Sequence, residues 1–190
     1  MVNSLIFSAP SGAGKTTIVQ YILNKYPNVK FSISVTTRPP RKGEVDGKDY
    51  RFVSVDKFKE LIEGNHFLEW EEVYPNQFYG TLISDVGKIW EDGDIVIFDV
   101  DVVGGINLKK ILADKSISFF VKPPSIEELE ARLRSRESET EESIQIRIDK
   151  AKSELEYESG FDKIVINSSL DEALEFVDNE LRYLNGSKMY

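Results

Sequence analysis

Ser4-Leu5-Ile6-Phe7-Ser8-Ala9-Pro10-Ser11-Gly12-Ala13-Gly14-Lys15-Thr16 decides how the rest of the chain is read. The apolar run Leu5 to Phe7 enters a loop of small residues. A helical pattern follows at once, with Ile18, Val19, Ile22 and Leu23 at helical spacing and Pro27 as its stop. A buried strand that passes through such a loop into a helix opens an α/β fold. Ala9 to Thr16 matches G-x-x-x-x-G-K-[ST], except that Ala9 stands where the first glycine is expected. Small residues let successive backbone N–H groups curl around an anion, and the helix N-terminus adds a partial positive charge. Lys15 has the reach for β- and γ-phosphates, and the Thr16 hydroxyl suits Mg²⁺. The segment is expected to bind a nucleoside triphosphate.

Further along, Phe31, Ile33 and Val35 alternate with Ser32 and Ser34, which reads as one strand. Thr36 to Gly47 is polar and rich in Arg, Pro and Gly, hence a loop. Strands are expected at Tyr50 to Val53, Phe67 to Val73 and Phe78 to Thr81, and a helix at Asp56 to Glu63. Ile95-Val96-Ile97-Phe98 is unbroken apolar sequence closed by Asp99, as in a parallel sheet covered on both faces. Ile117 to Val121 and Ile164 to Ile166 are further strands. Ser125 with Glu128 forms a capping-box pattern, and Ser169 with Glu172 opens a last helix carrying Leu174, Val177 and Leu181. Between them a helix runs from about Thr140 to Tyr157, with Ile144, Ile148, Ala151 and Leu155 on one face. Strands alternating with helices argue for an α/β sandwich around a parallel sheet.

The composition narrows the function. The 190 residues are 41% apolar and 30% charged, which suits one compact unit. Without cysteine there are no disulfides, iron–sulfur clusters, Cys-ligated zinc or thiol catalysis. The single histidine, His66, excludes a multi-histidine metal site and reads as a surface turn residue. The net charge of −9, from 24 basic and 33 acidic residues, makes nucleic acid an unexpected partner. No apolar run approaches the roughly 18 residues of a membrane span, and the N-terminus lacks a signal-peptide pattern. A cytoplasmic protein without a membrane partner is expected. The oligomeric state is not legible.

A second anion site is suggested by Ser34-Val35-Thr36-Thr37-Arg38-Pro39-Pro40-Arg41, which sets two arginines three apart on a proline-stiffened loop. Arginine grips phosphate bidentately. Tyr50 and Tyr79 are phenolic donors that suit the same site. Glu69, within Phe67-Leu68-Glu69-Trp70, offers two acceptors side by side. Guanine presents two donors side by side, whereas adenine presents an acceptor that a carboxylate repels. Glu69 therefore suits guanine, with a plain surface glutamate as the alternative.

These motifs, together with Gly43-Glu44-Val45-Asp46-Gly47-Lys48-Asp49-Tyr50, Phe78-Tyr79-Gly80-Thr81 and Asp99-Val100-Asp101, occur in the order in which they stand in guanylate kinase. From about Ser4 to Asn167 the chain resembles that family of P-loop nucleoside monophosphate kinases. The resemblance implies a single domain, a three-layer α/β sandwich with a parallel central sheet. Its core would be about 1–32, 94–128 and 159–190, with an inserted mixed αβ GMP-binding region at about 33–93 and a helical lid at about 129–158. It implies transfer of the γ-phosphoryl group of ATP to GMP and dGMP, with Mg²⁺ as cofactor.

Residue by residue, the resemblance implies an ATP site of Ala9, Pro10, Ser11, Gly12, Ala13, Gly14, Lys15, Thr16 and Thr17, completed by Arg132, Arg136 and Asn167. It implies that Ser34, Glu69 and Thr81 read guanine, and that Arg38, Arg41, Tyr50 and Tyr79 grip the GMP phosphate. Lys15, Arg38, Arg41, Arg136 and Arg147 would be catalytic, the last two as lid arginines. Asp99 and Asp101 match an acidic pair. Asp99 either holds Mg²⁺ through water, with Thr16, or supports GMP. Val103 stands where the family usually has Gln. Two alternatives remain at this level. One is a catalytically inactive guanylate-kinase-like binding module, which generally loses the phosphate-loop chemistry that Lys15 and Thr16 retain. The other is a related P-loop kinase for a ribose phosphate or another nucleotide, against which Ser34, Glu69 and Thr81 argue.

Overall fold

The computed structural model describes residues 2–41, 43–134 and 141–184. Strand β1 (Ser4–Ser8) is buried along its whole length. It lies at the centre of a five-stranded sheet ordered β2-β7-β1-β8-β9, with β2 at Val29–Phe31, β7 at Ile95–Val100, β8 at Ser116–Lys122 and β9 at Lys163–Ile166. Every pairing in this sheet is parallel. Helices α1 (Lys15–Lys25) and α7 (Leu170–Leu184) cover one face, where Leu5, Phe7, Ile18, Ile22, Phe119 and Val177 pack together. Helices α3 (Ile83–Glu91) and α4 (Val102–Leu112) cover the other, against Ile6, Val96 and Phe98. Burial on both faces is why β1 and β7 read as continuous apolar runs. Phe7 stacks on Phe119 with ring centroids 4.6 Å apart. Truncating it to alanine would cost about 3–5 kcal/mol.

A second, four-stranded sheet is ordered β4-β3-β6-β5, with β3 at Val35–Thr36, β4 at Arg51–Phe52, β5 at Phe67–Tyr74 and β6 at Gln77–Leu82. Strands β3 and β4 run parallel, and the other two pairings are antiparallel. Helix α2 (Val55–Glu63) lays Phe58 against Phe67 and Phe78, at 4.5 and 5.4 Å between centroids. Ser54 caps it by accepting from the Lys57 N–H. Helices α5 (Ile126–Arg134) and α6 (Glu141–Leu155) pack together through Leu129, Leu133, Ile144, Ile148 and Ala151. Among the described residues no helix is long and apolar enough to cross a membrane.

The structure departs from the sequence reading in three elements. The alternation from Phe31 to Val35 is not one strand. After β2 the chain leaves the first sheet, with the Ser32 N–H on the Ile97 carbonyl, and enters the second at Val35. Ser32 and Ser34 are both buried, so the alternation marks a change of sheet and not a solvent face. Helix α3 was legible from Ile83, Val86, Ile89 and Trp90 at helical spacing but is absent from the reading above. Helix α4 begins Val102-Val103-Gly104-Gly105, a composition that argues against helix. Its glycine is a packing requirement, because a Cβ on Gly105 would stand 2.1 Å from the Ser8 hydroxyl.

Candidate active site

The loop between β1 and α1 opens at the C-terminal end of the parallel sheet. Gly12 and Gly14 take φ of 94° and 95°, the left-handed region that glycine occupies without strain. Ala9 is buried and is not among the residues of positive φ, so its methyl group adds no backbone strain. Asn167, just beyond β9, lies beneath the loop. Its side-chain amide donates to the Ala13 carbonyl at 2.7 Å, and a Cβ on Gly14 would come within 2.2 Å of that nitrogen.

Registry places the acidic residues. Phe7 pairs with Asp99 across β1 and β7, which brings Asp99 beside the start of α1. The Lys15 ammonium lies 2.6 Å from Asp99 Oδ1 and also donates to the Val100 carbonyl. The Thr16 hydroxyl donates to Asp99 Oδ2 at 3.4 Å. Asp101 caps α4, accepting from the Gly104 N–H at 2.8 Å, while its carbonyl accepts from the Ser8 hydroxyl.

Across a cavity of about 330 Å³ stands the second sheet. Glu69 and Thr81 face each other in the β5–β6 register, and the Thr81 hydroxyl donates to Glu69 Oε1 at 2.8 Å. Burial, with the Asp101 charge nearby, pushes the Glu69 carboxyl up to about 7. Ser34 is buried and lines the same cavity, as do Arg41, Tyr50 and Tyr79. The Tyr50 and Tyr79 rings meet edge-on at 6.0 Å, and burial raises the Tyr50 phenol to about 12. Arg38 is 7% exposed and sits behind this wall. Its Nε donates to the Tyr79 hydroxyl at 3.1 Å, and its Nη1 and Nη2 form a bidentate pair with Glu44 at 2.7 and 2.6 Å. The Arg38 guanidinium holds the Glu44 carboxyl below its ordinary value.

From the donor side, Ala9, Pro10, Ser11, Gly12, Gly14, Lys15, Thr16 and Thr17 reach the cavity, with Asp99 and Asp101. Ala13 does not line it, being turned to Asn167. Arg147 of α6 lines it, 3.3 Å from the Ser11 hydroxyl. Arg132 of α5 donates to the Asn167 carbonyl at 3.1 Å and to Glu128 at 3.0 Å. Arg136 lies outside the described residues. Sequence reasoning missed Glu44, and also Glu71, Tyr74, Lys150 and Glu154, which line the cavity between β5 and α6. Period-2 alternation from Glu69 would have found Glu71. Burial and the Asp101 charge raise the Glu71 carboxyl, and its Oε2 is buried without a hydrogen-bond partner. Lys150 stands 4.6 Å from the centre of the Tyr74 ring.

A phosphate loop at the end of a parallel sheet, facing a separate lobe that buries a carboxylate and an arginine, is the layout of a P-loop nucleotide kinase. The family model described as Guanylate kinase matches residues 1–183, and the chain belongs to the guanylate kinase family. It is 50% identical over 169 residues to a Guanylate kinase of Bacteroides fragilis, covering 89% of this chain and 83% of that one. It is 46% identical to a Guanylate kinase of Salinibacter ruber, covering 91% and 92%. The crystal structure of guanylate kinase from Anaplasma phagocytophilum superposes with a TM-score of 0.80 at 28% identity, over 98% of this chain and 88% of that one. The chain is thus an enzyme of the nucleoside monophosphate kinase class with guanylate kinase function.

Proposed function

We propose that the chain transfers the γ-phosphoryl group of ATP to GMP or dGMP, giving ADP and GDP or dGDP. The observation that carries this reading is one cavity lined by Lys15 and Asp99 at one end and at the other by Glu69, whose carboxylate the buried Thr81 hydroxyl holds. Residues 9–17, with Arg132 and Asn167 behind them, form the ATP side. Ser34, Glu69 and Thr81 read guanine, with Asp101 beside Glu69. Arg38, Arg41, Tyr50 and Tyr79 grip the acceptor phosphate. We assign core, GMP-binding region and lid to about 1–32, 94–128 and 159–190, to about 33–93 and to about 129–158. The separate hydrophobic clusters of the second sheet and of α5–α6 support that division. The cysteine-free composition suits work in the cytoplasm.

An oxygen of the GMP phosphate attacks the γ-phosphorus, and the bond to the bridging oxygen breaks as ADP leaves. The attacking phosphate is already ionised, so no general base is needed. Catalysis is positioning and charge neutralisation. Lys15 follows the charge on the moving group. Arg147 approaches from α6 beside Ser11, and Arg136 has the same proposed role. Closing α5 and α6 over the cavity would exclude water, which otherwise competes as acceptor. The Thr16 hydroxyl and Asp99 carboxylate are adjacent hard oxygen donors, the chemistry that suits Mg²⁺. These two residues would hold the ion, with Asp99 acting through water; the ion neutralises phosphate charge when bound. The position of Asp99 against Lys15 and Thr16 supports this role over a contact to GMP.

The test is ADP release from ATP and Mg²⁺ with GMP, dGMP, AMP, UMP, CMP or no acceptor. Fast release with GMP and dGMP alone is expected. Release without any acceptor would make the protein an ATPase, and silence in every well from folded protein would make it a binding module.

A further inference from the structure

We propose that Glu44 is a positioning residue for the acceptor phosphate, acting through Arg38 and the Arg41 backbone. The inference rests on the reading above, in which Arg38, Arg41, Tyr50 and Tyr79 grip that phosphate. Guanidinium has five N–H donors. In the structure four are engaged: two by Glu44, one by the Pro39 carbonyl and one by the Tyr79 hydroxyl. The guanidinium also lies over the Tyr50 ring, 4.7 Å from its centre. The same carboxylate takes the Arg41 N–H on Oε2 at 2.7 Å. One acidic side chain therefore sets the plane of the first arginine and the backbone of the second.

The loop is folded to deliver that carboxylate. Gly43 takes φ of 92°, and the Glu44 N–H returns to the Arg41 carbonyl at 3.1 Å. Downstream, Val45 donates to the Asp49 carboxylate at 2.8 Å and Gly47 to the Tyr50 carbonyl at 2.8 Å. This closes the segment so that Tyr50 covers one face of the Arg38 guanidinium while Glu44 grips its edge. A carboxylate beside a phosphate site repels the ligand, so a mere neighbour would weaken GMP binding, and its neutralisation would tighten it. A positioning residue gives the opposite sign. Without Glu44 the arginine regains its rotamers, and phosphate binding must order them again.

The experiment is steady-state kinetics of Glu44→Gln, Glu44→Asp, Arg38→Met and the double variant Arg38→Met/Glu44→Gln. Glu44→Gln is expected to raise KM for GMP on the order of ten- to a hundredfold, with kcat and KM for ATP little changed. Glu44→Asp keeps the charge and shortens the reach. It should show the same split to a smaller degree, and it serves if the Gln variant does not fold. In the Arg38→Met background the Gln change should add much less, because only the contact to the Arg41 backbone remains for it to act through. A KM for GMP that is unchanged or lower in Glu44→Gln overturns the inference alone, as does an equal fold-loss in the Arg38→Met background. Absence of GMP turnover in the wild type overturns both this inference and the reading on which it rests.

Discussion

At the donor end of the cavity the binding surface is backbone; at the acceptor end it is side chain. The phosphate loop offers N–H groups held by two left-handed glycines, by the all-buried strand β1 and by Asn167 underneath. Lys15 is its one charged contribution. The acceptor lobe instead buries charge and satisfies it internally, Glu69 by Thr81 and Arg38 by Glu44 and Tyr79. Backbone binding is local in sequence and tolerates Ala9 in place of glycine. Side-chain binding depends on partner side chains that the fold must set against each other, and each lost partner leaves a buried polar group unpaired. Within the phosphate loop itself one side chain, Lys15, should therefore dominate, whereas the acceptor end should be sensitive at many.

Variants can break or sharpen this contrast. The largest effect is expected from Lys15→Ala, which should lower kcat on the order of a hundredfold or more while KM for GMP stays near wild type. Unchanged turnover would remove Lys15 from the mechanism. Next is Glu69→Gln, which turns one acceptor into a donor. The preference for GMP over AMP in kcat/KM should fall by roughly a hundredfold. An undiminished preference would show that guanine is read elsewhere.

A smaller effect is expected from pH. Guanine needs the Glu69 carboxylate, and the unliganded carboxyl titrates at about 7. Affinity for GMP, measured against Glu69→Gln as baseline, should fall about tenfold from pH 8 to pH 6. Stability runs the other way. The folded-state value lies above the ordinary 4.5, so the unliganded protein loses stability as pH rises from about 4.5 to 7. Thermal melts of Glu69→Gln should flatten that slope, and an identical slope would place the titration on another group. Smallest of the four is Asn167→Ala, which leaves the Ala13 carbonyl unpaired. We expect a loss of about 1–3 kcal/mol in denaturant unfolding and a severalfold rise in KM for ATP alone. A change confined to KM for GMP would contradict the separation of the two ends.

How much was legible from sequence follows the same division. Ser4 to Thr16 declared its strand, loop and helix because each signal is contiguous. Ser125 and Ser169 announced their helices because a cap acts within three residues. The candidate residues of the acceptor site came from recognising motifs, and their partnerships were invisible. Glu44 was legible only as a member of a motif until the fold set it against Arg38, and Glu71, to which alternation from Glu69 points, meets Asp101 only in the fold. The Phe31 to Val35 alternation misled because period-2 spacing does not say which sheet a residue joins. Helix α4 stayed hidden because close packing on Ser8 required a glycine that propensity counts against a helix.

The most direct measurement follows label from ATP carrying a radioactive γ-phosphate, with equal GMP and AMP present. We expect the label in GDP, with little in ADP or orthophosphate. Label appearing equally in ADP and GDP would contradict guanine reading at Glu69, and label appearing mainly in orthophosphate would contradict phosphoryl transfer between the two ends of the cavity.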